Sequence, residues 1–502
     1  MTAKVLMVQG TASSVGKSLL VAALCRIFSQ DGLRVAPFKA QNMSLNSFVT
    51  PEGLEIGRAQ AVQAEAAGIP PHVDMNPVLL KPEGEGRCQV VVLGRPWKSV
   101  EGIGSQGRGS FLWERVTSSL GRLRDRFDLV VIEGAGSPAE INLRKSDIVN
   151  MAVALHARSP VLLAGDIDRG GVFASLVGTL ALVSDEERGL VKGFLINKFR
   201  GDLRLLEEGL RMLEDRTGVP VLGVIPYLAD LAVAEEDSVA LEGPAGAAAA
   251  RGWDTDIAVI RFPRISNFDD YDALSLEPGV RLRYADSSRT LGRPAAVILP
   301  GTKHTAADLA WMRERGLDAA VLDLARAGTA VVGLCGGYQM LGRSIRDPLG
   351  VESPPGTDLP GLGLLPVRTE FGEAKTTRQA SAACLSGPGF WAAAAGTAVV
   401  GYEIHMGRTE PDGGDARPAF RLADRDGVDG AVDASGRVWG TYLHGVFDGE
   451  AFRRSWLRSL GWAGAGGSLD LAARRRADYD RLAASVRRSV DMDRLRRIAG
   501  LA

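Results

Sequence analysis

Val5-Leu6-Met7-Val8-Gln9-Gly10-Thr11-Ala12-Ser13-Ser14-Val15-Gly16-Lys17-Ser18 decides the fold of the first half of this 502-residue chain. Four apolar residues read as a buried strand, a glycine-bounded loop follows, and Leu19 to Phe28 continues with helical periodicity. That order, strand, loop ending in Gly-Lys-Ser, helix, gathers backbone N–H groups and a helix N-terminus around a phosphate. Gly10, Thr11 and Gly16 supply the nucleotide-binding loop. Lys17 is expected to meet the β- and γ-phosphates of ATP as a point charge, and the Ser18 hydroxyl to ligate Mg²⁺. Five residues, where the usual pattern has four, separate Gly10 from Gly16.

From Val5 to Ile225 short β-branched runs alternate with helical stretches, which predicts a parallel sheet wrapped by helices. The clearest strands are Val5–Val8, Leu129–Ile132, Val161–Ala164 and Phe194–Ile196. Ligands bind beyond the carboxyl ends of such strands, and there lie Gly10, Glu133-Gly134-Ala135-Gly136, Asp166 and Asn197-Lys198. Glu133 is placed to hold Mg²⁺ directly or through water. Asn197 is a candidate for reading adenine by hydrogen bonding. A stripe of Leu203, Leu206, Leu210 and Leu213 has the spacing of a core-facing helix.

The longer loop resembles the variant in dethiobiotin synthetase and its relatives. Lys39, in Pro37-Phe38-Lys39-Ala40, matches a second lysine of that pattern, which faces the reacting phosphoryl group.

Residues Ala232 to Asp256 change character, with Glu235-Glu236-Asp237 followed by Gly-Pro-Ala-Gly and a run of alanines. We read domains at 1–235 and 256–450, a linker at 236–255 and a helical tail at 451–502. The second domain restarts an α/β pattern at Ile257–Ile260, Val297–Leu299 and Val331–Leu334. The last of these runs into Cys335, where flanking glycines permit a sharp strand-to-helix turn that exposes the sulfur and offers backbone donors to an oxyanion. A thiolate needs a base. His444 ends an apolar strand, while His304 and His405 stand in settings that leave either open as the base.

Leu334-Cys335-Gly336-Gly337-Tyr338-Gln339-Met340-Leu341-Gly342 resembles the nucleophile segment of class I glutamine amidotransferases, and His444 matches their catalytic histidine. The resemblance implies that Cys335 attacks a glutamine amide, that Gln339 and Gly301 help bind glutamine, and that the Gly336 N–H and an N–H near Gly301 hold the oxyanion. That family usually carries a glutamate two residues after the histidine. Here Val446 stands there, leaving Glu403 or Asp448 as candidates to orient the ring.

Over nearly its whole length the chain resembles the cobyric acid synthase family, through Pro37 to Ser47, Glu55 to Ala61, Asp166 to Ala174, Ile196 to Asp202 and Gly401 to His405. This implies ATP-dependent amidation of the b, d, e and g carboxylates of adenosylcobyrinic acid a,c-diamide, with glutamine as nitrogen donor and Lys39 and Asn42 on the phosphoryl or substrate side. The related cobyrinic acid a,c-diamide synthase, and a non-catalytic P-loop regulator, are the rival readings.

Composition agrees with two globular domains: 45% of residues are hydrophobic and 24% charged, enough to bury sizeable cores. A net charge of −1 provides no global field for nucleic acid or an anionic membrane. The basic pairs and triplets of the tail, Arg474-Arg475-Arg476 and Arg487-Arg488, read as a solvated helix face. Cys25, Cys88, Cys335 and Cys384 lie far apart without metal-type pairing, and no apolar run approaches about 18 residues, so a cytoplasmic protein is expected. Ala382 to Thr397 and Pro411 to Pro418 read as surface insertions.

Overall fold

The computed structural model describes residues 2–84, 86–101, 110–229, 231, 233, 252–464 and 466–501. The expected linker therefore lies, from 236 to 251, outside the described residues. Two compact units emerge: residues 1–44, 55–236 and 472–502 form the first, and residues 45–54 and 237–471 the second. The stretch expected as one tail from 451 is thus divided, its first part belonging to the second unit and 472–502 to the first.

In the first unit the chain builds strand β1 (Lys4–Gly10), helix α1 (Lys17–Gln30), β2 (Val35–Phe38), α2 (Arg58–Ala67), β3 (Leu129–Glu133), β4 (Val161–Asp166), β5 (Val191–Phe199) and β6 (Val221–Pro226). Its parallel sheet has the order β6-β5-β4-β1-β3-β2. Leu6, Met7, Val8 and Leu129 to Ile132 are sealed from solvent, as near-continuous apolar strands covered on both faces must be. Chain order reverses around β1, so the crevice beyond its carboxyl end is the natural ligand site. A four-stranded sheet, Gln41–Met43, Val78–Gly84, Arg87–Val92 and Arg95–Glu101, accompanies this one.

The leucine stripe is only partly a core stripe. Leu213 is buried, but Leu203 falls in a short 3₁₀ turn ahead of the helix Glu207–Thr217 and is exposed. Breaking helical phase at residue 206 turns the spacing away from the sheet.

In the second unit β7 (Thr255–Ile260), β8 (Val280–Ala285), β9 (Ala296–Leu299), α3 (Thr305–Glu314), β10 (Ala330–Leu334), α4 (Gly336–Leu341), β11 (Val367–Cys384), β12 (Ala398–Pro411), β13 (Ala431–Val432) and β14 (Val438–Thr441) follow. The main sheet runs β8-β7-β9-β10-β14-β13, parallel except for the final antiparallel pair. The long hairpin of β11 and β12 belongs to a second, mixed sheet. The stretch Ala382 to Thr397 is not a surface insertion. Its Trp391 is fully buried against Phe420, Trp439 and Phe452, so one large aromatic anchors an otherwise Ala- and Gly-rich segment.

The C-terminal helices α5 (Leu471–Ser489) and α6 (Met492–Ala499) complete the first unit. Tyr479, Leu482, Ala483, Val486 and Leu495 share one apolar cluster with Val21, Leu24 and Phe28 of α1. Arg26 pairs with Asp480 at 2.8 Å, and Arg487 with Asp31 at 2.9 Å. Among the described residues no helix is long and apolar enough to cross a membrane.

Candidate active sites

In the first unit the loop after β1 is held open by two glycines. A Cβ on Gly10 would stand 2.6 Å from Val15 Cγ2, and one on Gly16, at φ +96°, would collide with the Asn197 amide. Thr11 N–H donates to the Ala164 carbonyl at 2.9 Å, extending β1's pairing into the loop. Lys17 Nζ donates to the carbonyls of Ala12 (2.9 Å) and Gly136 (3.1 Å), so the ammonium sits inside the loop. The Asn197 side chain donates to the Val15 carbonyl at 2.8 Å. That bond braces the loop with the residue expected to read the base. Lys198, at φ +61°, adds donations to Ser14 O (2.6 Å) and Asp166 Oδ2 (2.9 Å).

Glu133 ends β3 with a fully buried carboxylate. Its Oε1 accepts from Ser18 Oγ at 2.8 Å and Lys39 Nζ at 2.9 Å, and its Oε2 accepts from Gln63 Nε2. A buried carboxylate is costly unless paired and hydrogen-bonded, and all three partners meet that requirement. Ser18 Oγ and Glu133 Oε1 are hard oxygen donors side by side, the chemistry that suits Mg²⁺ shared with phosphates and water. Asn42 is buried and donates to Gln60 Oε1 at 3.0 Å. Gln60 and Gln63 were not singled out by sequence; their i, i+3 spacing, on one face of α2, was the available signal.

In the second unit Cys335 joins β10 to α4 at φ +51°, ψ −109°, a strained conformation for a residue with a Cβ. Close backbone approach explains its flanking glycines: a Cβ on Gly336 would lie 2.7 Å from Thr302 Cγ2 and 3.2 Å from Thr302 N. Gly336, the residue after Cys335, is thus packed against Thr302, the residue after Gly301, which are the two places where the oxyanion donors are expected. Cys335 Sγ contacts the Ile404 carbonyl oxygen at 3.6 Å. Burial pushes the other three thiols, Cys25, Cys88 and Cys384, above their ordinary pKa, which leaves them protonated.

His444 Nδ1 lies 2.7 Å from Asp270 Oδ2, and Asp270 Oδ1 accepts the Gly445 N–H at 2.8 Å. Neither Glu403 nor Asp448 orients the ring. Glu403 is tied instead to Arg378 and Arg425. Burial acts to lower the His444 pKa, but the Asp270 carboxylate and the Cys335 thiol outweigh it and push the pKa up to about 10. The ring stacks on Tyr402 with centroids 5.1 Å apart and 15° between planes. Asn267 donates to Tyr402 Oη at 3.1 Å, and its own N–H and Oδ1 pair with Asn46 Oδ1 (2.8 Å) and Ser47 N (3.0 Å).

The other candidate bases have other employment. His304 caps α3, its Nδ1 accepting the Ala307 N–H. His405 Nδ1 is bonded to the Gly407 carbonyl at 2.7 Å. Gln339 is buried, with Oε1 accepting from Thr305 Oγ1 at 2.8 Å and Nε2 donating to Tyr442 Oη at 3.2 Å. Gly301 lies against the same histidine as Asp270: a Cβ there would stand 3.4 Å from His444 Cε1. Asp270, Tyr402 and Tyr442 were missed by sequence, although the run Ser266-Asn267-Phe268-Asp269-Asp270 after β7 carried the carboxylate in plain view.

Residues 6–240 match the family described as the CobQ/CobB/MinD/ParA nucleotide binding domain, and residues 256–452 the CobB/CobQ-like glutamine amidotransferase domain. The chain is 55% identical over 520 residues to the cobyric acid synthase of Sorangium cellulosum, covering 100% of this chain and 99% of that one. It is 53% identical over 509 residues to that of Desulforudis audaxviator, with 100% of both covered. For the relative from Roseiflexus castenholzii the identity is 56% over 467 residues, covering 92% of this chain and 93% of the other.

Proposed function

The chain belongs to the cobyric acid synthase family, and on that premise we propose that it uses ATP and glutamine to amidate the b, d, e and g carboxylates of adenosylcobyrinic acid a,c-diamide in cobalamin biosynthesis. The observation that carries the nitrogen half of this reading is the buried Asp270–His444 pair, with Cys335, held in a strained turn, among the groups that raise the ring's basicity. An aligned carboxylate, imidazole and thiol are what acyl transfer from an amide requires.

Cys335 sulfur attacks the glutamine carboxamide carbon, and the charge on oxygen falls to the Gly336 and Thr302 N–H groups. The His444 imidazolium, held by Asp270, passes a proton to the departing nitrogen, so the C–N bond breaks to give ammonia and a glutamyl thioester. Water, deprotonated by His444, then cleaves the thioester to glutamate and restores the thiol. In the first unit a substrate carboxylate oxygen attacks the γ-phosphorus of ATP, giving an acyl phosphate and ADP. Lys17 and Lys39 neutralise the charge that moves between phosphoryl oxygens. Ser18 and Glu133 would hold Mg²⁺, which supplies further charge neutralisation to the phosphates when bound. Ammonia attacks the acyl carbon and expels phosphate, leaving the amide. Asn197, which also braces the phosphate loop, is assigned to the adenine, and Asn42 is assigned with Lys39 to the phosphoryl and substrate side. Four free thiols suit a reducing cytoplasm, where we place the protein.

Mass spectrometry of adenosylcobyrinic acid a,c-diamide incubated with the protein, ATP, Mg²⁺ and glutamine tests this directly. Four successive amidations are expected. Amidation of cobyrinic acid and not of its diamide would reassign the chain to the a,c-diamide reaction, and inertness toward both would favour a regulator. Lys17→Ala is expected to stop amidation with glutamine or ammonia, whereas Cys335→Ala should stop glutamine use and leave ammonia-dependent synthesis.

A further inference from the structure

We infer that His405 is a specificity-determining residue of the glutamine site: its Nε2 accepts an N–H of the substrate carboxamide and thereby selects glutamine over its product, glutamate. The inference rests on the assignment of Cys335 and His444 to glutamine hydrolysis.

Geometry fixes the ring's hydrogen-bonding state. A carbonyl oxygen only accepts, so Nδ1, 2.7 Å from Gly407 O, carries the hydrogen and Nε2 presents a lone pair. Burial pushes the ring's pKa down to about 4, so it stays neutral at physiological pH. Nε2 is shut off from solvent and has no hydrogen-bond partner among the described residues. An unpaired buried acceptor is costly, and this one belongs to the residue after Ile404, whose carbonyl meets the nucleophile; a substrate N–H would satisfy it.

Four links tie this ring to the residues of the reacting centre. The ring lies flat on Tyr442, centroids 3.8 Å apart and planes 16° apart. Tyr442 Oη accepts from Gln339, whose Oε1 is held by Thr305 at the edge of the oxyanion donors. The preceding residue, Ile404, presents its carbonyl to Cys335 Sγ. The charged His444 ring is among the groups that depress the basicity of His405.

Once the carboxamide oxygen faces the Gly336 and Thr302 amides, its nitrogen needs acceptors for two N–H bonds. His405 Nε2 is an acceptor that cannot become a donor without protonation. Glutamate presents a carboxylate there, with no hydrogen to give, so lone pairs oppose lone pairs and product is rejected. A site built around a hydrogen bond discriminates strongly against an analogue that cannot make it.

Hydrolysis of glutamine by the full chain, with glutamate as a competitive inhibitor, is measured for wild type and His405→Phe, which keeps a ring against Tyr442 and removes the acceptor. The expected result is a fall of about tenfold or more in kcat/KM for glutamine, as for one lost hydrogen bond to a buried group. The ratio of glutamate Ki to glutamine KM should drop by a similar factor. His405→Gln, which retains an acceptor oxygen, should recover part of that ratio. An unchanged ratio, with both ligands weakened alike, would make His405 a packing residue and overturn the inference while leaving the Cys335–His444 assignment standing. Should the Phe variant not fold, His405→Ala reads the same ratio, a drop supporting the inference and an unchanged value overturning it. A wild-type protein that hydrolyses no glutamine would overturn both.

Discussion

At the residue scale, a buried imidazole left to itself would lose basicity, yet His444 gains it because Asp270 shares the same dry pocket. Asp270→Asn keeps the shape but removes the charge, and glutamine-dependent amidation is expected to fall by about 10²–10⁴-fold, with ammonia-dependent amidation retained; equal loss of both would deny Asp270 its role. The sign of the pH effect follows from the raised pKa. Stability contributed by the protonated ring is fully present below about pH 6.5 and is lost as pH rises through about 10. Thermal melts of wild type and Asp270→Asn should therefore differ most below pH 6.5 and converge toward pH 10; a gap that stays constant would remove the ion pair from the account. Lys17, Ser18, Glu133 and Cys335 stand out as candidates in the sequence because each is marked by its immediate neighbours, whereas His444 is singled out from His304 and His405 only by the family resemblance. Asp270 does not stand out, since its pairing spans 174 positions. Val446, where the amidotransferase resemblance expects a glutamate, is fully buried in the apolar core, so the carboxylate has to come from elsewhere in the chain.

Elements were legible where one face decides them. Continuous apolar runs gave β1, β3, β4, β7 and β10 because strands covered on both faces tolerate little else. Less legible were segments whose partners lie far along the chain. Helices α5 and α6 carry mostly arginine, alanine and aspartate, and their few large apolar side chains show their purpose only against α1. Each such side chain stabilises by roughly 1.5–3 kcal/mol when fully buried, and together they rival a domain's net stability of about 5–15 kcal/mol. Deleting residues 472–502 is accordingly expected to abolish the cooperative melting of the nucleotide-binding unit, seen by calorimetry as the loss of one transition. Two transitions surviving the deletion would show that α5 and α6 are dispensable.

At the scale of the whole molecule, neither unit is a continuous piece of sequence. The decapeptide Leu45–Leu54 belongs to the second unit, where Asn46 and Ser47 hold Asn267, which in turn holds Tyr402 beside His444. A fragment of residues 252–471 therefore lacks part of the support of its own catalytic ring. We expect its glutaminase kcat/KM to be at least about tenfold below that of the full chain, the loss of roughly 1.4 kcal/mol of positioning, and to rise when a peptide of residues 41–57 is added. Full activity of the bare fragment would make the decapeptide incidental. The placement of residues 472–502 has a different consequence, for the ribosome. The nucleotide-binding unit is begun first but cannot be completed until codons 472–502 are read, while the amidotransferase unit has all its residues by 471. At roughly 5–20 residues per second, the unit whose synthesis starts second is the one whose chain is ready to fold first, and the nascent N-terminal unit waits, its helix α1 uncovered, for a segment translated only after the other is whole.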